Sequence, residues 1–225
     1  MTNGVVRCEP AIIVLAKSPV AGRVKTRCTP PCTPEQGAEL ATAALIDTLD
    51  AVLRSSARRV VIALDGEPCR WIHPRFEIHG QCAGSLGDRI DHAFRAVGQP
   101  AFLIGMDTPQ VTADILDHAL YLLRTCTSDA LVGPSADGGF WALGLKNPEA
   151  DVCHDVPMSR DDTCAHLCAG MRRRRLTSAV LPLLVDVDDF ATAVAVADEI
   201  PTSNFARTVA GIASALDLFG SGPQR

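Results

Sequence analysis

The chain has 225 residues, of which 47% are hydrophobic, 21% are charged and only 4% are aromatic. This composition excludes a globally disordered chain and predicts a sizeable core built from Ala, Val, Leu and Ile. The formal net charge of −5 excludes a general nucleic-acid-binding surface, so any site for an anion must be local.

The N-terminal sequence and the cysteines indicate the cellular compartment in which we expect the protein. No run approaches the ~20 apolar residues of a membrane span, and the first ten residues, MTNGVVRCEP, lack the apolar segment of a signal peptide. The nine cysteines are scattered, so we expect a cytoplasmic protein with reduced thiols. Neither Cys28-x3-Cys32 nor Cys164-x-His166-x-Cys168 has the C-x2-C spacing of a zinc site.

Apolar periodicity predicts alternating strands and helices from a first buried strand over 10–16. Thr33, Pro34 and Gln36 then predict a helix that begins with a capping box. Further strands are predicted over 59–64, 75–78, 101–106, 130–132, 140–145 and 179–185, and further helices from the 81–87 loop to 97, over 113–124, from Ser159 and Asp162 to the arginine run 172–175, and over 191–199 and 203–219.

This alternation predicts an α/β fold with a mainly parallel sheet and helices on both faces. The less regular second half predicts one antiparallel strand. We expect a single domain over 1–225 that closes with helices over about 189–219. The amphipathic stretch 205–212 fits packing on its own sheet or on a second subunit of a homodimer.

A basic loop, AKSPVAGRVKTR, follows the first strand, and no acidic residue occurs from Pro10 to Pro34. The loop is not a P-loop, because Arg23 and Val24 separate Gly22 from Lys25, and it lacks a dinucleotide-binding glycine fingerprint. Backbone N–H groups around a glycine, with Lys and Arg side chains, favour a phosphate or diphosphate ligand. The alternative is an ordinary solvated loop.

Acidic residues follow two other strands. Asp107 stands directly after a buried strand, where Mg²⁺ could take one carboxylate and complete its shell with water and phosphate; the alternative is a turn cap before Pro109. Asp186 and Asp188 share a face in extended backbone and would attract a cation. The alternative is that Asp188 or Asp189 caps the next helix.

The stretch GPSADGGFW over 133–141 combines a flexible turn with an acid. Gly138 and Gly139 permit close approach to a ligand, and Asp137 fits a general base or a ligand for an acceptor hydroxyl. The alternative is a hairpin turn. We expect one of Phe140 and Trp141 in the core and the other in a pocket wall.

The ordered motifs AKSPVAGRVKTR, QCAGSLGDR, GMDTP, GPSADGGFWALGL, VPMSRDDT and LPLLVDVDDF resemble a bacterial glycosyltransferase-A-like family, also described as selenodomain-associated transferases. The resemblance covers roughly residues 10–190. It implies the nucleotide-diphospho-sugar transferase (GT-A, Rossmann-like) fold, a three-layer sandwich around a mainly parallel mixed sheet. It also implies a metal-dependent transferase with a nucleotide-sugar donor, a small-molecule acceptor and Mg²⁺ or Mn²⁺.

The resemblance also implies site residues. The residues it implies for nucleotide binding are Lys17, Gly22, Arg23, Lys25, Gln81, Gly84, Leu86 and Gly87. The residues it implies for metal binding are Asp107 with Asp186 or Asp188. The sugar or acceptor would bind beside Asp137, Gly138 and Gly139. Lys25 and Asp137 are the candidate catalytic residues. The chain departs from the family pattern at Ser85, where G-D-L-G has Asp, and at Cys28, where the family has Leu.

Two other functions remain open from the sequence. A nucleotidylyltransferase would use the same fold to attack a nucleoside triphosphate and release pyrophosphate. A non-catalytic nucleotide-binding module would also fit the basic loop.

Overall fold

The structure, a computed structural model, describes residues 9–220. The predictions that concern Cys8 and the outer ends of the 1–225 domain lie outside the described residues. Within this range no helix combines the length and the apolarity needed to cross a bilayer.

In the described part of the chain, seven strands form one sheet in the order β3-β2-β1-β4-β6-β5-β7. β6 runs antiparallel to its neighbours β4 and β5, and the other pairs are parallel. The predicted mainly parallel sheet with an antiparallel strand in the second half is therefore confirmed. The strands are β1 (Ala11–Lys17), β2 (Val60–Asp65), β3 (Glu77–Gly80), β4 (Ala101–Gly105), β5 (Ala130–Pro134), β6 (Phe140–Leu145) and β7 (Ser178–Val180).

Within residues 9–220, six α-helices accompany the sheet, and the three-layer α/β sandwich confirms the predicted fold. Along β1, Ile12 and Val14 pack in one core cluster and Ile13 in the other, which explains why the strand is apolar at every position. The first cluster includes residues of α1 and α3, and the second includes residues of α2 and α4. The helices are α1 (Pro34–Arg54), α2 (Leu86–Val97), α3 (Ala113–Thr125), α4 (Thr163–Arg173), α5 (Phe190–Glu199) and α6 (Asn204–Gly220).

The amphipathic C-terminal helix packs on its own chain, although on α1 rather than on the sheet. Phe205 and Val209 of α6 share a buried cluster with Leu40 and Ala44 of α1. The carboxylate of Asp47 also accepts hydrogen bonds from the first turn of α6.

The predicted capping box of α1 is confirmed. The Thr33 hydroxyl accepts from the Gln36 backbone N–H at 3.2 Å, and the Thr33 backbone N–H donates to Gln36 Oε1 at 2.8 Å. Thr112 caps α3 as predicted, by accepting from the Ile115 N–H.

Three sequence predictions about element ends were wrong. The strand predicted over 75–78 is β3, which spans Glu77–Gly80. Ser159 does not cap α4: it has a φ of 59°, and Asp162, at the N-cap position, makes no cap bond because its carboxylate binds Arg160. β7 ends at Val180 rather than at 185. Pro182 has no N–H for the ladder, and the chain rejoins the sheet only through a bridge at Leu184.

Candidate functional site

Four loops meet at the edge of the sheet where the parallel strands end. Those after β1, β4 and β5 begin near Lys17, Gly105 and Pro134. The bridge between Ser135 and Leu184 brings in the fourth loop, which carries Asp186 and Asp188. Chain order reverses beside β1, since β2 lies on one side and β4 on the other. Ligands of open α/β sheets bind at such a switch point.

Two adjoining cavities open at this edge. The smaller, of about 240 Å³, is called the basic cavity here because its wall includes Lys17, Arg23, Lys25 and Arg27. The larger, of about 440 Å³, is called the acidic cavity because its wall includes Asp107, Asp137, Asp161, Asp186 and Asp188. Arg27, Met106, Asp107 and Asp188 line both cavities.

Lys25 is the most firmly held cation of the basic cavity. Its side chain is only 6% exposed, and its ammonium group binds Asp107 Oδ1 and the Val187 carbonyl oxygen. Its backbone is left-handed, with a φ of 49°. Gly37 of α1 lies close to this backbone, since a Cβ there would be in van der Waals contact, at 3.4 Å, with the Lys25 carbonyl oxygen.

The other loop cations are more accessible. Arg27 forms an ion pair with Asp188 across the opening between the two cavities. Lys17 Nζ lies 3.9 Å from an Asp65 oxygen, and Arg23 is exposed. Gly22 has a φ of 74° and open space beside it. The loop thus gathers four positive charges around one small cavity.

Asp186 is the most perturbed carboxyl group of the acidic cavity. Burial, and then the negative charges of Asp137 and Asp107, raise the pKa of Asp186 to about 7, although a hydrogen bond with Ser135 and the charge of Lys25 lower it. The three carboxylates therefore act on one another. The ammonium group of Lys25, which binds Asp107, offsets only part of this repulsion.

Asp137 is fixed by its own turn. Its Oδ1 accepts from the Ser135 hydroxyl at 2.6 Å and from the Gly139 N–H at 2.9 Å. Asp137 therefore holds the turn between β5 and β6, as the alternative interpretation proposed, and it also lines the acidic cavity.

Asp189, rather than Asp188, caps α5, because its carboxylate accepts from the Thr192 N–H at 2.8 Å. This leaves Asp186 and Asp188 facing the cavities.

The carboxylates fit a divalent cation only if the cation takes other ligands as well. Within residues 9–220, no group of three or more His, Cys, Asp and Glu side chains is arranged to hold a metal ion. Mg²⁺ commonly uses one or two protein carboxylates and completes its shell with water and substrate phosphates. The repulsion of Asp186 by Asp107 and Asp137, which Lys25 only partly offsets, matches that demand.

The loop before α2 makes structural contacts. The Gln81 amide donates to the carbonyl oxygens of Ala16 and Ala63, each at 2.9 Å, and so ties together the ends of β1 and β2. Gly84 has a φ of 120°, and a Cβ on Gly87 would lie 2.2 Å from the Cys153 carbonyl oxygen. Leu86 lines the acidic cavity, whereas Gln81, Gly84 and Gly87 line neither cavity. Their nucleotide binding stays a prediction.

Gly138 has a packing role next to Asp137. Its φ is 87°, and a Cβ on it would lie 1.8 Å from the Asp161 carbonyl oxygen. Gly139 lines the acidic cavity. Trp141 is 3% exposed and donates from Nε1 to the Pro182 carbonyl oxygen. Both Trp141 and the less buried Phe140 line the acidic cavity.

Several cavity residues had no role in the sequence predictions. Thr108 lies inside a motif that was recognised for its neighbour Asp107. Ser135, which is not part of the cavity wall but donates a hydrogen bond to Asp137, also lies beside a recognised aspartate. The VPMSRDDT motif also carried the resemblance, yet no role followed from it. In the structure, its residues 158–161 form part of the acidic cavity wall. Membership in an ordered motif was the available signal for all of them.

Comparison with known protein families assigns the chain to a family. A family model described as "Uncharacterized protein conserved in bacteria (DUF2064)" matches residues 41–160, more than half of the chain. The chain belongs to this family. The matched range of the DUF2064 model contains Asp107 and Asp137, whereas the basic loop and Asp186 lie outside it. No curated protein matches the chain.

Solved structures with a similar fold include a protein from Desulfovibrio desulfuricans G20, provisionally described as a nucleotide-diphospho-sugar transferase. It is 23% identical, with a TM-score of 0.83 over 94% of this chain and 98% of its own. A nucleotidyl transferase from Methanothermobacter is 15% identical, with a TM-score of 0.60 over 89% of this chain and 100% of its own.

A third similar structure is the mannosyltransferase PcManGT from Pyrobaculum calidifontis in complex with GDP-Man and Mn²⁺. It is 12% identical, with a TM-score of 0.54 over 91% of this chain and 65% of its own. These similarities confirm the nucleotide-diphospho-sugar transferase fold that the sequence motifs implied.

Proposed function

We propose that the protein is a divalent-metal-dependent transferase that binds a nucleoside diphosphate-sugar and transfers its glycosyl group to a small-molecule acceptor. The observation that carries this proposal is the pair of adjoining cavities of opposite charge that share Asp107. The fold it shares with a mannosyltransferase solved with GDP-Man and Mn²⁺ supports it.

The basic cavity would bind the diphosphate of the donor. Lys17, Arg23 and Arg27 are the accessible cations there, and an Arg guanidinium can hold phosphate oxygens through paired hydrogen bonds. Lys25 is nearly buried and fixed at the boundary between the cavities. It is therefore positioned to neutralise the charge that grows on the leaving diphosphate.

Asp107 and Asp186 would hold the metal, and Asp188 becomes a further ligand if Arg27 turns from it to the diphosphate. When bound, Mg²⁺ or Mn²⁺ would supply positive charge to the phosphate oxygens. The shift of the Asp186 pKa supports this assignment, because a cation compensates the repulsion among the carboxylates.

Asp137 would act on the acceptor. Both of its hydrogen bonds go to Oδ1, so Oδ2 is the oxygen that would take the proton of the attacking hydroxyl. The acceptor oxygen forms a bond to the anomeric carbon, the bond from that carbon to the diphosphate breaks, and the nucleoside diphosphate leaves with the bonding electrons.

Nucleotidyl transfer is the second candidate, since a nucleotidyl transferase shares the fold. Product analysis separates the two functions. We expect the purified protein, with Mn²⁺ or Mg²⁺, to release a nucleoside diphosphate from one nucleotide-sugar of a panel. Release of pyrophosphate from a nucleoside triphosphate instead would contradict glycosyl transfer.

A matched pair of exposed arginines tests the donor site. We expect Arg23→Ala to weaken nucleotide binding by about 10- to 100-fold, because it removes a charge-assisted hydrogen bond. Arg172→Ala, on the exposed end of α4, should leave binding unchanged. Equal affinity of the two variants, measured by calorimetric titration, would remove the basic cavity from the donor site.

A further inference from the structure

The charges of the acidic cavity indicate what kind of molecule it accepts. Five carboxylates and two guanidinium groups line it. Both guanidinium groups already bind carboxylates: Arg27 binds Asp188, and Arg160 binds Asp162 through two hydrogen bonds of 2.9 and 3.1 Å. An anionic molecule in this cavity would therefore meet mostly negative charge. The Lys25 ammonium on Asp107 and one divalent cation beside it would offset part of that charge.

The unpartnered hydroxyl of Thr108 is a second, independent observation. Thr108 lies in the wall of the acidic cavity and is 1% exposed. Its hydroxyl oxygen has no hydrogen-bond partner among residues 9–220. A buried hydroxyl without a hydrogen-bond partner destabilises the fold. A ligand hydroxyl beside it would recover that free energy.

The rest of the wall also suits an uncharged ligand. Leu15, Phe140 and Met158 give it apolar surface, and the carboxylates give it hydrogen-bond acceptors. A polyhydroxy compound presents C–H groups to the apolar surface and O–H groups to the carboxylate acceptors. Binding pockets commonly combine apolar walls with a few polar groups in this way.

We infer that the acidic cavity takes an uncharged polyhydroxy compound as the acceptor, and that Thr108 is a specificity-determining residue that binds one of its hydroxyl groups. The inference rests on the proposed function in naming this compound the acceptor. A phosphorylated or carboxylated acceptor is disfavoured by the charge of the cavity.

Saturation-transfer NMR tests the inference directly. The probes are glucose, mannose, N-acetylglucosamine, glycerol and myo-inositol, each compared with its phosphate ester at equal concentration. Excess inorganic pyrophosphate is present in every sample, so that a phosphate group bound in the basic cavity does not contribute. We expect signal from at least one uncharged probe and a weaker signal, or none, from its ester.

A pair of buried threonines supplies the variants. Thr108→Val removes the unpartnered hydroxyl at nearly constant shape, so the variant should be at least as stable as the wild type while its affinity for the uncharged probe falls about tenfold. In Thr48→Val the lost hydroxyl donates to the Ala44 carbonyl oxygen within α1. We expect that variant to bind the probe as the wild type does.

Three results would overturn the inference: a phosphate ester that binds as well as its parent, no signal from any uncharged probe, or unchanged affinity in Thr108→Val. The proposed donor function is read separately, from saturation transfer to UDP, GDP, CDP and ADP with Mg²⁺ and without pyrophosphate. Failure of the donor function therefore shows in different samples from failure of the inference.

Discussion

At the scale of single residues, Asp186 links the chemistry of the site to the stability of the fold. Its pKa is about 7 in the folded chain, chiefly because it is buried, whereas an Asp in an unfolded chain titrates near pH 4. Between these values the folded chain holds one more proton than the unfolded chain. The free energy of unfolding therefore falls as the pH rises through this range.

We expect Asp186→Asn to remove this fall in the free energy of unfolding with rising pH. Relative to the wild type, the variant should gain on the order of 4 kcal/mol between about pH 4 and pH 7 in metal-free buffer. Urea unfolding at several pH values measures it, and the exposed Asp198→Asn serves as the control. An identical dependence on pH in the wild type and Asp186→Asn would show that Asp186 is ionised throughout this range.

Gly138 shows how a single backbone position holds the catalytic candidate Asp137. An added Cβ would meet the Asp161 carbonyl oxygen at a φ that side chains rarely adopt. We expect Gly138→Ala to cost roughly 2–4 kcal/mol of unfolding free energy.

Gly211→Ala is the matched control for this substitution, because the helical Gly211 has open space around it. That variant should gain about 0.5–1 kcal/mol in the same urea unfolding experiment. Equal changes in the two variants would contradict the close approach of the two loops.

At the scale of elements, the start of α2 explains the departure from the family pattern at Ser85. The Ser85 hydroxyl accepts from the Asp88 N–H at 3.2 Å, and Asp88 Oδ2 accepts from the Ser85 N–H at 2.9 Å. Ser and Asp are both good N-cap residues. The change from Asp to Ser therefore keeps the cap of this helix.

We expect Ser85→Ala to lower the unfolding free energy by about 1 kcal/mol, since the helix loses its cap. Ser85→Thr should keep most of that stability. Thermal unfolding of the two variants measures the difference. An equal loss in both would mean that this side chain does not stabilise α2 through its cap.

The elements also show how far sequence reasoning reached. The capping box at Thr33 and the apolar run of β1 are local patterns, so they predicted α1 and β1 well. The contact of Lys25 with Asp107 joins residues 82 apart, and the two bonds of Gln81 reach carbonyl groups 65 and 18 residues away. No local pattern contains such contacts, so the sequence predicted the loops of the site without their pairing.

At the scale of the whole molecule, the sheet topology brings charges of opposite sign together. The basic loop follows β1, and Asp107 follows the neighbouring strand β4. The bridge between Ser135 and Leu184 brings Asp186 to the same edge of the sheet. The chain carries a net charge of −5, so the basic cavity is a local concentration of positive charge. This arrangement supports the proposal of a donor diphosphate on one side and an acceptor on the other.

The most direct test of the proposed donor site is a thermal-shift measurement with nucleoside diphosphates and nucleotide-sugars, each with and without Mg²⁺ or Mn²⁺. For the wild type we predict a metal-dependent stabilisation by one nucleotide, about 2.7 kcal/mol at about a hundredfold excess over its dissociation constant. Asp107→Asn should lose this stabilisation, and the exposed Asp114→Asn should keep it. No metal-dependent shift with any nucleotide, or an unchanged shift in Asp107→Asn, would contradict the account.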